Sequence, residues 1–184
     1  IYFNEKLYIG KREEVFVYNE STGNFDLFYH LAGKNITLSC LHLDKNKNLW
    51  MGTTSNGIYC LSEDKNLSRP VTKGNITSIY EDSSNELWIG SWEEGLYRVK
   101  TDGSIENLRH NPMNTNSLCS NFVRSCCEDN SGDLWIGTFN GLNRYDRETG
   151  KFHLYTANGN SPDGLTHSSI WCIVKDGQGT IWLG

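Results

Sequence analysis

Glu128-Asp129-Asn130-Ser131-Gly132-Asp133-Leu134-Trp135-Ile136-Gly137-Thr138 decides the fold, because its second half recurs along the chain. The same phrase stands as Leu7-Tyr8-Ile9-Gly10, Leu49-Trp50-Met51-Gly52, Leu87-Trp88-Ile89-Gly90, Leu134-Trp135-Ile136-Gly137 and Ile181-Trp182-Leu183-Gly184. Its glycines fall 42, 38, 47 and 47 residues apart. A period of this size marks a repeat architecture.

From the second copy on, a run ending in Asp precedes the phrase: Leu38 to Asp44, Ile76 to Asp82, Val123 to Asp129 and Ile170 to Asp176. Apolar residues occur at odd and even offsets, so both faces of this first strand are at least partly covered. A turn follows, and its residue three after Asp is Lys47, Asn85, Gly132 or Gly179. Gly and Asn accept the positive φ that a short hairpin requires. The Asp carboxylate suits the turn because it can accept nearby backbone N–H groups. The Trp strand comes next, then a turn closing on Gly57, Gly95 or Gly141, then a third strand such as Leu142 to Tyr145. A fourth is expected at Lys151 to Tyr155, and Asn24 to Phe28 matches it.

Four antiparallel strands per repeat is the count of a β-propeller blade, and no stretch shows sustained helical periodicity. The expected fold is all-β: a β-propeller segment of about four to five blade-equivalents of four-stranded antiparallel sheet, forming an open arc of a larger ring. Blades are expected at 31–73, 74–110 and 111–156. A partial blade at 1–30 supplies its last three strands, and one at 157–184 its first two, all within one propeller domain fragment. Both ends read as cuts within a longer protein.

The 184 residues carry a net charge of −5 and no Lys/Arg cluster, so no nucleic-acid partner is expected. No apolar run is long enough to span a membrane as a helix, and Ile1-Tyr2-Phe3-Asn4 is not a secretory signal. The six cysteines form no CxxC or zinc spacing. Cys40 and Cys172 share a repeat position with Ser78 and Ser125, so that site wants a small residue. Buried free thiols are the favoured reading, with a disulfide framework as the alternative.

No catalytic, metal or cofactor site is expected. Asp44-Lys45-Asn46-Lys47-Asn48 opens like an EF-hand loop, but Leu49 stands where its Gly is needed and Ser55 where its Glu is needed. Asp44, Asp82, Asp129 and Asp176 recur at one turn position and are assigned a turn role. The five histidines neither recur nor pair at metal spacing, and no nucleophile elbow or Walker loop occurs. Asn35-Ile36-Thr37 and Asn75-Ile76-Thr77 fit glycosylation sequons.

The repeat tryptophans Trp50, Trp88, Trp135 and Trp182 are assigned to the blade core, as wedges between neighbouring sheets. Two tryptophans lie off the motif. Trp92 sits in the turn Ser91-Trp92-Glu93-Glu94, where Thr54 and Phe139 are its counterparts. Its ring would stack on a sugar face while Glu93 and Glu94 accept hydroxyls; the competing reading is a rim aromatic lying on the next blade. Trp171 and Arg124 occupy the place held by Ser39 and Thr77, and form a second candidate site.

Glu128 to Thr138, with Gly141-Leu142-Asn143-Arg144-Tyr145-Asp146 and Thr149-Gly150-Lys151-Phe152, resembles the two-component regulator propeller repeat. Asn116-Ser117-Leu118-Cys119-Ser120-Asn121 resembles its inter-blade linker. The first unit departs from the pattern, with Tyr8 for Trp and Lys11 for Thr. The resemblance implies seven-bladed propellers in the periplasmic sensor region of an inner-membrane hybrid two-component system of Bacteroidetes. A further sensor domain, a membrane span, a histidine kinase, a receiver and a DNA-binding regulator then follow in the parent chain. It implies an oligosaccharide stimulus, a phosphorelay controlling polysaccharide-utilisation genes, a homodimer, and a segment without enzymatic activity. Its partners are the remaining blades and the downstream sensor domain of the same chain. The alternatives are an extracellular propeller enzyme, such as a lyase, and a non-catalytic scaffold.

Overall fold

The computed structural model describes the chain apart from residues 4, 33–35, 69 and 158–163. The sequon residue Asn35 thus lies outside the described residues. The chain divides into two compact units, residues 1–76 and 77–184. Every regular element among the described residues is a strand, and no helix is long and apolar enough to cross a membrane.

In residues 1–76, β1 (Tyr2–Phe3), β2 (Lys6–Lys11), β3 (Glu14–Asn19) and β4 (Asn24–His30) form one sheet in chain order. β5 (Leu38–Leu43), β6 (Leu49–Thr53) and β7 (Ile58–Leu61) form a second. In the other unit, β8 (Ile76–Glu81, starting at the boundary), β9 (Leu87–Ser91), β10 (Leu96–Val99) and β11 (Ile105–Leu108) make a four-stranded sheet. So do β12 (Val123–Glu128), β13 (Leu134–Thr138), β14 (Gly141–Asp146) and β15 (Lys151–Tyr155). β16 (Ile173–Lys175) and β17 (Ile181–Leu183) form a pair. Pairing within the sheets is antiparallel. This is an all-β fold of propeller-type sheets.

Two details differ from the expected strand count. Residues 1–30 hold four strands where three are expected: Tyr2 pairs with Leu7 across a tight reversal in which Glu5 takes a positive φ. Residues 31–73 hold three where four are expected. The chain after β7 does run beside it, with Ser68 N–H donating to Cys60 O and Val71 N–H to Ile58 O. Pro70 has no N–H to continue that ladder.

The repeated residues explain one another. Lys47, Asn85, Gly132 and Gly179 all take positive φ, as the turn position three after Asp demands. In the turns, Asp44 Oδ1 accepts from Asn48 N–H, Asp82 Oδ1 from Glu86 N–H, Asp129 Oδ1 from Asp133 N–H and Asp176 Oδ1 from Thr180 N–H. The second oxygen has a partner not expected from the sequence. It accepts the indole N–H of the repeat Trp at 2.8, 2.7, 2.8 and 2.8 Å for Trp50, Trp88, Trp135 and Trp182. A hydrogen bond to a charged acceptor contributes about 1.5–3 kcal/mol.

The phrase glycine marks close approach of the next sheet. A Cβ on Gly52 would stand 2.5 Å from Cys40 Sγ of its own sheet. One on Gly90 would stand 2.5 Å from Ser78 Oγ and 2.9 Å from Val123 Cγ1. The small residue shared by Cys40 and Ser78 is therefore the floor beneath the glycine.

Trp88 is the fullest case of the wedge: it is 0% exposed and meets Tyr145 of the next sheet edge-on at 5.2 Å. It sits in a core with Leu96, Leu118, Val123, Leu134, Ile136 and Phe152. Residues 1–76 have their own core of Val15, Leu31, Leu49, Met51 and Leu61. Trp182, in the two-stranded sheet, differs at 61% exposed. All six cysteines are free. Burial pushes the thiol of Cys126 up to about 12 and those of Cys40 and Cys60 to about 11.

Candidate functional site

Each sheet has two unlike ends. In the β12–β15 sheet, Glu128 pairs with Leu134, and Leu134 with Tyr145, beside the Asp turn. Val123 pairs with Thr138, and Thr138 with Gly141, at the other end. The second end gathers the start of the first strand, the turn between the second and third strands, and the incoming linker. Trp92, Arg124 and Trp171, which depart from their counterparts in the other repeats, lie there.

The turn of Trp92, Glu93 and Glu94 is tightly held. Ser91 Oγ donates to Gly95 O at 2.9 Å and accepts from Glu94 N–H at 2.9 Å, the arrangement that Thr53 makes in β6. Gly95 has φ 79°, and its N–H donates to Asn121 O of the linker. Arg109 grips the turn from outside: it pairs with the Glu94 carboxylate and donates to Glu93 O at 3.2 Å and Glu94 O at 3.4 Å. The Glu94 carboxylate is therefore engaged in holding the turn, while Glu93 is exposed.

Arg124 sits at a β-bulge, where the register of β12 against β13 shifts between Val123 and Ser125. Ser39 occupies the same shift in β5, between Leu38 and Cys40. Trp171 and Cys172 both donate their N–H to Gly184 O, at 2.8 and 3.2 Å, so this irregularity recurs at the last sheet. A bulge takes a residue out of the ladder and re-aims its side chain, and bulges are common beside functional sites.

The two separate candidates of the sequence meet here. The Arg124 guanidinium lies 4.0 Å from the centroid of Trp92 and 3.9 Å from that of Trp171, between the two indoles. Cation–π contacts of this kind contribute about 0.5–2 kcal/mol each. Burial lowers the Arg124 pKa from its usual value, and the group remains a cation. Phe122 packs edge-on against Trp92 at 5.3 Å and reaches Phe139 at 6.3 Å. The result is a row of four aromatic rings and one cation drawn from three successive repeats. Phe122 and Arg109 were not singled out from the sequence. The signal for Phe122 was available, since Thr37, Asn75 and Ser169 hold its place in the other repeats. Arg109 has no such counterpart.

The other end has a depression of about 450 Å³ lined by Ser83, Glu128, Asp133, Arg144 and Arg147 among others. Its charges pair with one another. Arg147 meets Asp82 at 2.8 Å and Glu128 at 2.9 Å, and Arg144 meets Asp133 at 3.3 Å. Burial opposes ionisation of Asp82, but the N–H groups of Trp88 and Glu86 and the Arg147 guanidinium outweigh it and hold the carboxyl below its ordinary 3.8. Among the described residues, no group of three or more His, Cys, Asp or Glu could hold a metal ion.

The model of the two component regulator propeller family matches residues 30–55, 70–93, 117–140 and 164–184, just over half of the chain. The chain belongs to that family. Each family match contains one Asp turn and one Trp phrase, and together they include Trp92, Arg124 and Trp171. The first phrase, with Tyr8, lies outside them. No curated protein sequence matches this propeller chain. Among solved structures, virginiamycin B lyase from Staphylococcus aureus shares the fold over 100% of this chain and 61% of its own, with TM-score 0.76 and 15% identity. An extracellular domain assigned to a one component system of B. thetaiotaomicron is covered over 32% of its length and covers 100% of this chain, with TM-score 0.56 and 19% identity. One assigned to a hybrid two component system of the same organism gives 29% and 97%, with TM-score 0.51 and 23% identity. The propeller chain thus spans about three fifths of the lyase and about a third of the extracellular domains.

Proposed function

We propose that this segment is a ligand-sensing module on the outer side of the inner membrane, within a hybrid two-component sensor kinase that responds to an oligosaccharide and controls polysaccharide-utilisation genes. The observation that carries the reading is the Trp92–Arg124–Trp171 stack at the divergent end of the sheets. Family membership and the fold shared with extracellular domains of two-component systems support it. Aromatic rings offer flat apolar faces to a sugar ring, and a few fixed polar groups orient it. A ligand seated on this row touches several sheets at once. It biases the packing of two protomers only through its different affinity for their two arrangements.

The test is calorimetric titration of the complete sensor region with oligosaccharide pools. A binding pool is expected, and Trp92→Ala weakens it by about 1–3 kcal/mol, the scale of stacking on one aromatic ring. Unchanged affinity removes Trp92 from the site. The lyase-like reading is separated by incubating the same pools with the protein: cleaved products appear only if the segment is an enzyme. For the parent, a membrane span and a kinase His box downstream in the gene are expected, and their absence sinks the sensor reading.

A further inference from the structure

Residues 77–184 contain five arginines, and four of them meet a carboxylate. Arg98 pairs with Glu86 at 2.7 Å, Arg109 with Glu94, Arg144 with Asp133 at 3.3 Å, and Arg147 with Asp82 and Glu128 at 2.8 and 2.9 Å. Arg124 is the exception. Among the described residues its guanidinium has ring contacts alone, and its Nε is buried with no hydrogen-bond partner. Acids are not scarce in a chain with 22 Asp and Glu against 17 Lys and Arg. Glu94, on the neighbouring turn, is held by Arg109.

The Trp92 and Trp171 ring centroids lie 4.0 and 3.9 Å from the Arg124 guanidinium, whose edge is left without a protein acceptor among the described residues. That edge carries N–H donors in one plane and no acceptor. A donor withdrawn from water without an acceptor is costly, and more so when charged. The matching group presents two oxygens at fork spacing and a negative charge, as a carboxylate or sulfate does. A sugar hydroxyl offers a single neutral acceptor. The bulge holds the guanidinium between rings on which a sugar could lie, so the charge and the stacking surfaces belong to one place.

We propose that Arg124 receives an anionic group, a carboxylate or a sulfate, carried by a sugar whose ring lies against Trp92 or Trp171. This rests on the reading of the same end of the sheets as a carbohydrate site. It makes the ligand an acidic saccharide and gives Arg124 the role of selecting for charge.

Nuclear magnetic resonance of the whole chain reads this at the indole N–H signals of Trp92 and Trp171. The probes are glucuronate, glucose 6-sulfate, glucuronic acid methyl ester and glucose, each titrated through the range of about 1–50 mM where single-sugar contacts saturate. The charged probes are expected to shift both indoles and to bind about tenfold or more tightly than their neutral partners. Which charged probe binds better separates carboxylate from sulfate. Arg124→Gln abolishes the preference, Arg124→Lys keeps part of it, and thermal melting shows that both variants fold. Equal shifts from charged and neutral sugars overturn the acidic-ligand proposal and leave the carbohydrate reading standing. If none of the four moves these signals, both fall. If the charged probes prefer the protein but Arg124→Gln binds them as before, the assignment to Arg124 is wrong.

Discussion

At one end of the sheets in residues 77–184, Asp82, Asp129 and Asp176 each take the indole N–H of their own repeat Trp, and Arg147 ties Asp82 to Glu128 across two sheets. At the other end, the places that hold Thr54 and Ser39 in residues 31–73 hold Trp92 and Phe139, and Arg124 and Trp171. At the first end the Asp–Trp bond recurs because it closes each turn onto its own strand, and Arg147 adds a single lock between two sheets. The second end carries side chains that no repeated bond calls for. Its aromatic and cationic groups make contacts only because three divergent repeats happen to stand in a row. The comparison separates residues that build the propeller from those proposed to recognise a ligand.

The sharpest way to break this division is at Trp88. Trp88→Ala removes a fully buried ring and is expected to cost about 3–5 kcal/mol in urea unfolding. Trp182→Ala, at the same repeat position but largely exposed, costs about 1 kcal/mol or less. Equal costs would mean that repeat position, and not packing, sets the contribution.

The next effect is at Arg147. Arg147→Ala leaves the buried carboxylates of Asp82 and Glu128 without their cation and costs about 3 kcal/mol. Arg124→Gln at the opposite end is expected to cost about 1 kcal/mol or less, since it gives up ring contacts without stranding a charge. Acid sharpens the same contrast. Asp82 has a folded pKa below its ordinary 3.8, so its contribution to stability is complete above that value and is lost as pH falls through the depressed pKa. Stability measured from neutral pH downward should therefore hold until about pH 4 and then fall, less steeply in Asp82→Asn. A slope no different in Asp82→Asn would remove Asp82 from the acid response.

A smaller effect is expected at Gly90. Gly90→Ala drives a methyl group against Ser78 Oγ and Val123 and costs about 1–3 kcal/mol. Ser78→Gly in the same chain recovers part of it. No recovery would show that Val123 of the next sheet, and not the small residue beneath, sets the limit.

Much of the repeated end was legible in the sequence. Gly132 and Gly179 announce a left-handed turn residue, and Lys47 and Asn85 follow by position. The Asp-to-Trp bond was not legible, because six residues across a turn match no helical or strand period. Pro70, which has no N–H to give a ladder, stands in the sequence as an obstacle to a fourth strand in residues 31–73. At the divergent end, Trp92, Arg124 and Trp171 could be picked out only as departures from the repeat. Their meeting depends on a bulge, and a bulge is a property of the hydrogen-bond ladder that leaves no mark in residue type. Phe122 departs from its counterparts Thr37, Asn75 and Ser169 in the same way, but an aromatic just before a strand also reads as part of its core.

The central claim is that one end builds and the other recognises, and a paired measurement on two tryptophans tests it most directly. Affinity for a binding oligosaccharide and the free energy of unfolding are measured for Trp92→Ala and Trp88→Phe in the complete sensor region. Trp92→Ala is expected to lose about 1–3 kcal/mol of binding and about 1 kcal/mol or less of stability. Trp88→Phe gives up the N–H to Asp82, loses about 1–3 kcal/mol of stability and binds as before. The opposite pattern, with binding lost in Trp88→Phe and intact in Trp92→Ala, would contradict the account.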